Sequence, residues 1–258
     1  MSRPFSRAVV AAAALFLSRA AGAQFLSNFE PERPLAMEDA IPVAYRGFSG
    51  SADWTYSLRK GSLNDYGPGF SLLYGPLRGL ETGAAIRWVT RPGRNASRGI
   101  GSGDLDLHAL YQIVEESGGA PAIAARVGLQ FPTGLDSKGT DLHLAALATR
   151  SFDAFRLHAN VRYTRLGAIS GQERRDRYEG ILGTDFLAPG GSTDTILMAN
   201  VSARSNPLLG AETIYQLEAG ARRRIGAQTL VFLGVGTELT GLPDRARFRV
   251  RVGITHVY

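Results

Sequence analysis

The last stretch of the chain, residues 246–258, alternates apolar and polar side chains, and a period of two residues predicts a β-strand. One face is apolar and the other is basic, with Phe248, Val250, Val252 and Ile254 opposite Arg247, Arg249 and Arg251. The arginines must reach water or an acid, because an unpaired buried charge is costly. A closing strand that ends on an aromatic residue, here Tyr258, is typical of outer-membrane β-barrels.

Alternating stretches recur along the rest of the chain, and the pattern predicts twelve strands. They are expected near residues 48–59, 69–75, 79–90, 103–115, 120–132, 140–150, 154–165, 177–188, 192–204, 211–224, 228–238 and 246–258. Connections after even-numbered strands are short, whereas most of those after odd-numbered strands are longer. Bacterial barrels show this alternation, with the short turns in the periplasm. The predicted fold class is therefore all-β: an antiparallel transmembrane β-barrel of about 12 strands.

The N-terminus has the features of a secretory signal peptide. An apolar run at 8–17 follows two arginines, and Ala21-Gly22-Ala23 matches a small-residue cleavage site. We therefore expect a signal peptide at 1–23, a loosely ordered periplasmic leader at 24–42 and a barrel over 43–258. The expected location is the outer membrane of a Gram-negative bacterium.

Charge and composition limit the possible partners. The signal peptide holds three arginines and no acid, so the formal charge falls from +6 to (29−3)−23 = +3 without it. That charge is too small and dispersed to predict nucleic-acid binding. The chain has no cysteine, which excludes disulfides and thiolate chemistry. We expect small-molecule solutes, outer-membrane lipid and, through the last strand, the barrel-assembly machinery as partners, and no cofactor.

Four short motifs resemble one family. They are EDAIPV at 38–43, LLYG at 72–75, GIGSGDL at 99–105 and GLQFPTG at 128–134. In this order, and with the aromatic end, they resemble the outer-membrane transporter family named after the meta-pathway of phenol degradation. The resemblance implies a barrel that moves small, often aromatic, molecules across the outer membrane. It supplies no functional residues, and we expect no catalytic site.

Charged side chains on the inward faces are the candidates for a selectivity site. They are Arg126, Arg156, Arg162, Arg222, Arg247, Arg249, Arg251 and Glu218. One interpretation is an ion-pair network that fills and stiffens the barrel. The other is a polar constriction that selects solutes by charge, favouring anions or aromatic acids. Both interpretations remain open at the level of sequence.

A second candidate site lies where two strands begin, just after the loops that precede them. It comprises Asp104, Asp106, His108, Asp141 and His143. Paired carboxylates facing an Asp–His pair could activate a water, an arrangement similar to that of omptin proteases. Omptins, however, have ten strands and taller extracellular walls. The same residues are possible metal ligands, but they lack a tight spacing such as His-x-x-x-His, so we expect no metal site.

Overall fold

The computed structural model describes residues 34–59, 64–88, 103–134, 137–189, 194–240 and 246–258. Within these residues the chain forms twelve strands: β1 Phe48–Arg59, β2 Asp65–Leu77, β3 Leu80–Arg87, β4 Asp104–Val114, β5 Ala122–Phe131, β6 Asp141–Ser151, β7 Phe155–Arg165, β8 Asp176–Leu187, β9 Thr195–Arg204, β10 Ile214–Arg224, β11 Thr229–Glu238 and β12 Ala246–Val257. Each strand pairs antiparallel with its neighbours in chain order, and β12 pairs with β1 to close the barrel. The predicted fold class is confirmed.

The observed strand boundaries follow the predicted ones closely, except in β2. This strand begins at Asp65 rather than at residue 69, because Gly67-Pro68-Gly69 continues the pairing with β1 instead of forming a loop. Pro68 still accepts a hydrogen bond through its carbonyl from Trp88 N–H, at 2.9 Å. Over the described ranges, no helix is long and apolar enough to cross a membrane.

The barrel is apolar outside and polar inside. In β7 the outward Leu157 and Val161 are 46% and 64% exposed, whereas the inward Arg156 and Asn160 are 4% and 1% exposed. A soluble protein would bury the apolar side chains and expose the polar ones. The outer surface therefore requires lipid, as in outer-membrane barrels.

The two ends of the barrel differ. Tyr258 N–H donates to the carbonyl of Phe48 at 2.8 Å, so the first and last strands begin and end together at one end, called here the terminal end. The opposite end is called the loop end; it carries the longest connection, 88–103, whereas the shortest, 78–79, is at the terminal end. Outward aromatic pairs occur at both ends. They are Phe48–Tyr258 at the terminal end, and Trp54–Tyr66 and Phe70–Trp88 at the loop end. Such girdles anchor a barrel at both membrane interfaces.

Residues 34–43 lie inside the barrel, and we call this segment the plug. Met37 and Ala40 are 1% and 0% exposed. The expectation of a loosely ordered periplasmic leader is therefore wrong for residues 34–42, because these residues pack against the inner wall. The first 33 residues, with the expected signal peptide and the start of the leader, lie outside the described residues. The strands of the barrel begin at Phe48 rather than at residue 43.

Two apolar clusters seat the plug. In the first, Leu35 and Met37 pack against β8 and β9, with Ile181, Ile196 and Met198. In the second, Ala40 packs against β4, β5 and β6, with Leu110, Ala122, Ala124 and Leu147. Each of these inward apolar side chains is less than 9% exposed. Burial of these side chains makes the plug part of the folded core rather than a flexible tail.

Candidate functional site

Side chains of the wall bind the plug through its backbone. Asn160 of β7 makes a two-point contact with Glu38: its Oδ1 accepts from Glu38 N–H at 2.7 Å, and its Nδ2 donates to the Glu38 carbonyl at 2.9 Å. Two residues further on, Ala40 N–H donates to Oγ1 of Thr149 on β6 at 3.0 Å. These bonds satisfy backbone groups that a neighbouring strand would otherwise pair.

The loop-side portion of the plug is held from both sides of the barrel. Ala36 N–H donates to Oε2 of Glu218 on β10 at 2.7 Å, and Asn200 Nδ2 donates to the same oxygen at 3.1 Å. The Ala36 carbonyl accepts a hydrogen bond from Arg162 of β7. Glu218, predicted as a lumen residue, is thus a plug ligand and is only 6% exposed.

Glu38 forms the central ion pairs of the lumen. Its carboxylate lies 2.7 Å from a guanidinium nitrogen of Arg126 on β5 and 2.6 Å from one of Arg162 on β7. Arg162 also contacts Glu179 of β8 at 3.2 Å. Burial alone would raise the pKa of Glu38, but the two arginines outweigh it and hold that pKa at about 2. The plug therefore presents a fixed negative charge to both arginines at neutral pH.

Asp39 joins a second charged network, closer to the terminal end. Its carboxylate lies 3.2 Å from Arg156, which also binds Asp185 through two nitrogens at 3.0 and 2.7 Å. His158 lies 3.4 Å from Asp185 and 3.0 Å from the hydroxyl of Thr149. A bidentate Arg–carboxylate pair has a strict geometry, so this network fixes the plug position.

The plug leaves the lumen through a tight turn at residues 44–47. Val43 N–H donates to Oε2 of Glu81 at 2.9 Å, and Arg46 N–H donates to the Gly75 carbonyl at 2.7 Å. A side chain on Gly75 would collide with the backbone of Ala44. Arg46 itself adopts a positive φ of 63°. The LLYG motif thus has a physical role, since its glycine makes room for the plug.

Above the plug, toward the loop end, the lumen contains a cavity of about 390 Å³, which we call the chamber. Asp53 of β1 lies on its wall, with its carboxylate 2.7 Å from Arg251 and 3.4 Å from Arg87. A Cβ on Gly69 would lie 2.7 Å from this carboxylate. Arg126, Arg162 and plug residues also line the chamber. Its volume is that of a small-molecule site.

Three acids neutralise Arg249 and Arg251 of β12, and two of them, Asp53 and Glu238, are not among the predicted lumen residues. Arg251 pairs with Asp53, and Arg249 lies 3.6 Å from Glu238 and 3.8 Å from Glu218. Asp53 and Glu238 lie on β1 and β11. Apolar and polar side chains do not alternate clearly in these two strands, so their sequences predict no inward face. Of the other predicted lumen residues, Arg222 is 3% exposed on the inward face of β10, and Arg247 is exposed at the loop end.

In the predicted second site, Asp104 and Asp141 accept hydrogen bonds from residues of the neighbouring loops. Asp104 accepts hydrogen bonds from Gln130 Nε2, Gly134 N–H and Ser137 Oγ at 2.9, 2.9 and 2.7 Å. Thr133 Oγ1 also donates to the Gly103 carbonyl, at 2.9 Å. Gly103 and Asp104, the described part of the GIGSGDL motif with Leu105, therefore bond to the GLQFPTG motif and to Ser137 at the loop end of β4 and β5.

The remaining members of that site divide between two separate contacts. Asp106 lies 3.2 Å from His108 Nδ1 and 3.7 Å from Arg126, on the wall of the chamber. Asp141 instead accepts from Gly167 N–H at 2.9 Å, and His143 Nδ1 lies 3.0 Å from the Thr164 hydroxyl. Among the described residues, no group of three His, Asp or Glu side chains is placed to hold a metal ion.

The fold has relatives among solved outer-membrane proteins. No family model and no curated protein sequence matches the chain. The COG4313 outer membrane channel from Pseudomonas putida F1 is similar, with a TM-score of 0.67 and 15% identity over 87% of this chain and 100% of that chain. The NanC and KdgM porins are similar at TM-scores of 0.60 and 0.53, each with 12% identity over 80% of this chain and 98% of theirs. The chain therefore has the fold of outer-membrane channels and porins.

Proposed function

We propose that the protein is an outer-membrane channel for small molecules and that the plug closes it. The observation that carries this proposal is the polar chamber of about 390 Å³, enclosed by a complete barrel and floored by the plug. A barrel with a polar interior offers solutes a path through the bilayer. Solutes can occupy the chamber, and they pass only when the plug moves.

The orientation follows from the positions of the two ends. In bacterial barrels the short turns and both termini are periplasmic. The terminal end then faces the periplasm and the chamber opens toward the outside of the cell. On this basis the chamber meets solutes first, and the plug controls their entry into the periplasm.

We infer that the solutes are small organic acids or aromatic compounds. The resemblance to the transporter family named after the meta-pathway of phenol degradation supports an aromatic solute. One KdgM porin structure, similar to this chain at a TM-score of 0.54, is a complex with disordered oligogalacturonate, an acidic ligand. Four arginines and six carboxylates line the chamber, so Arg126 and Arg162 can hold an anion in exchange for an acid that already neutralises them.

An omptin-like hydrolase finds less support in the geometry. Asp104 and Asp141 direct oxygens to loop backbone groups, and Asp106 is engaged by His108 and Arg126. Asp141 and His143 are each held by another group, the Gly167 backbone and the Thr164 hydroxyl, so they do not orient each other as a base and its partner would. We therefore propose no catalytic role for these residues.

Conductance across planar bilayers tests the proposal. The full chain should conduct weakly, and Glu38→Gln combined with Asp39→Asn should conduct more, because the plug loses its ion pairs. The control is Asp194→Asn, which changes an acid of an exposed pair with Arg224 in the same way, outside the lumen. Correctly folded protein that conducts in neither form would overturn the proposal.

A further inference from the structure

We propose that Glu38 is a tethered substitute for the carboxylate of a solute, and that an organic acid opens the channel by taking its place between Arg126 and Arg162. This inference rests on the proposed function and deepens it, since it names the binding site, the solute class and the opening step. The solute is a carboxylate carried on a small apolar body.

The two arginines form a preorganised carboxylate site. Arg126 of β5 and Arg162 of β7 are both in register with Ala145 of the intervening β6. The methyl side chain of Ala145 leaves room between the two guanidinium groups, and the Glu38 carboxylate occupies that room, with one oxygen on each arginine. A free carboxylate can make the same two contacts, because it has the same charge and shape.

The site is reached from the chamber. Arg126, Arg162 and Glu38 all line it, and their side chains remain 24–26% exposed. The Asp39–Arg156 pair, by contrast, is only 5% exposed on each side. An anion entering from the loop end therefore meets the Glu38 site first.

The apolar part of the solute follows from the rest of the lining. Apolar side chains line the same chamber: Ile41 of the plug is half-buried and offers surface there, whereas Leu35, Met37, Leu73 and Leu110 reach it with at most 6% of their surface exposed. A carboxylate on a compact apolar body complements this combination of charge and surface. A purely polar anion would leave the apolar lining uncovered.

Displacement of Glu38 loosens more than one contact. Arg162 binds the Glu38 carboxylate and also donates to the carbonyl of Ala36. An anion that draws Arg162 toward itself weakens these two contacts, which belong to the loop-side portion of the plug. Contacts of Asp39 and Ala40 lie closer to the terminal end, so the plug should release from residues 34–38 first.

Accessibility of a cysteine in the plug tests the opening step. The chain has no cysteine, and Met37 is 1% exposed, so Met37→Cys places a single protected thiol in the plug. Benzoate should raise the rate of its modification by a methanethiosulfonate reagent about tenfold, because it populates the open state. Benzamide, the neutral analogue of the same shape, should have no effect. An equal effect of benzoate and benzamide would overturn the inference.

Calorimetry without the cysteine tests the competition itself. Glu38→Gln removes the resident carboxylate, so benzoate should bind it about tenfold more tightly than it binds the unmodified chain. Arg126→Gln with Arg162→Gln should abolish binding, and Asp194→Asn should leave it unchanged. Equal affinity for the unmodified chain and Glu38→Gln would also overturn the inference. Neither readout requires ion flow. Benzoate-induced exposure of residue 37 without any conductance would therefore refute the channel, whereas the exchange of Glu38 for a solute carboxylate would stand.

Discussion

Along β5 to β8, the terminal half and the loop half of the lumen carry similar charged side chains but bury them very differently. In the terminal half, Arg156 and Asp185 are 4% and 0% exposed, and they form a network with the plug. In the loop half, Arg126 and Arg162 keep about a quarter of their side-chain surface exposed around the chamber. The terminal half is thus built like the core of a soluble protein, whereas the loop half is built like a binding site.

This difference comes from the plug rather than from the strands. The inward faces of β5, β6 and β7 alternate in the same way from one end to the other. The plug covers these faces in the terminal half and only borders them in the loop half. The ion pairs of the terminal half fit the interpretation of a network that fills the barrel, and the selectivity site stays a prediction for the loop half.

The largest expected effect concerns a buried acid of the terminal half. Asp185→Ala leaves the guanidinium of Arg156 with less neutralisation in a dry site, so unfolding in urea should become easier by about 3–5 kcal/mol. The matched change Asp194→Ala breaks an exposed pair with Arg224, at the same end of the barrel, and should cost about 0–1 kcal/mol. Similar unfolding midpoints for the two variants would show that the terminal half is not a dry core.

The next prediction tests the assignment of inside and outside on which the comparison depends. Val252 of β12 is 44% exposed on the outer face, so Val252→Arg should place a charge in lipid at a cost of about 2–4 kcal/mol near the midplane. Arg249→Ala, on the lumen face of the same strand, should leave assembly nearly intact. The folding yields of the two variants in lipid vesicles measure these effects. Equal folding defects would contradict the assignment of Val252 to the outer face and Arg249 to the lumen face.

Which residues face inward could be predicted from the sequence, because the side-chain pattern of a strand depends only on neighbouring residues along the chain. In β7, every polar residue from Arg156 to Thr164 falls on the lumen face as predicted. Strands β1 and β11 were harder, since glycines and small side chains dilute their alternation. The acids Asp53 and Glu238 were missed there, and with them the neutralisation of Arg251 and Arg249.

The plug was not available from the sequence because its contacts are distant along the chain. Ala36 and Glu218, for example, are separated by 182 positions. The segment has no strand periodicity, and a proline lies at each side of its core, which together predict a loose leader. One signal was present: Leu35, Met37 and the pair Glu38-Asp39 give this leader both apolar and acidic groups, as a lumen-filling segment requires.

A smaller effect is expected where the plug leaves the barrel. Gly75→Ala places a methyl group against the backbone of Ala44, and overpacking of this kind costs about 1–3 kcal/mol. The cost falls on the plug turn rather than on the strands, so conductance should rise while the barrel still folds. Gly180→Ala is the control, because a Cβ there meets nothing within 4 Å. Unchanged conductance in Gly75→Ala would show that the plug turn does not hold the channel closed.

The smallest effect is expected from mild acid, and it separates the loop-half ion pairs from ordinary carboxylates. The pKa of Glu38 is lowered from 4.5 to about 2, so its ion pairs stabilise the closed plug above pH 4.5 and lose that contribution only as the pH falls toward 2. The rate at which a thiol reagent modifies Met37→Cys reports how accessible the plug is. If Glu38 controls that accessibility, the rate should be the same at pH 7 and pH 5. Titration of Glu38 should raise the modification rate between pH 4.5 and 2. In the Glu38→Gln background the rate should be higher at neutral pH, and this rise should be absent. A rise already complete at pH 5 would show that the two arginines do not hold the Glu38 carboxylate, and that another group governs the plug.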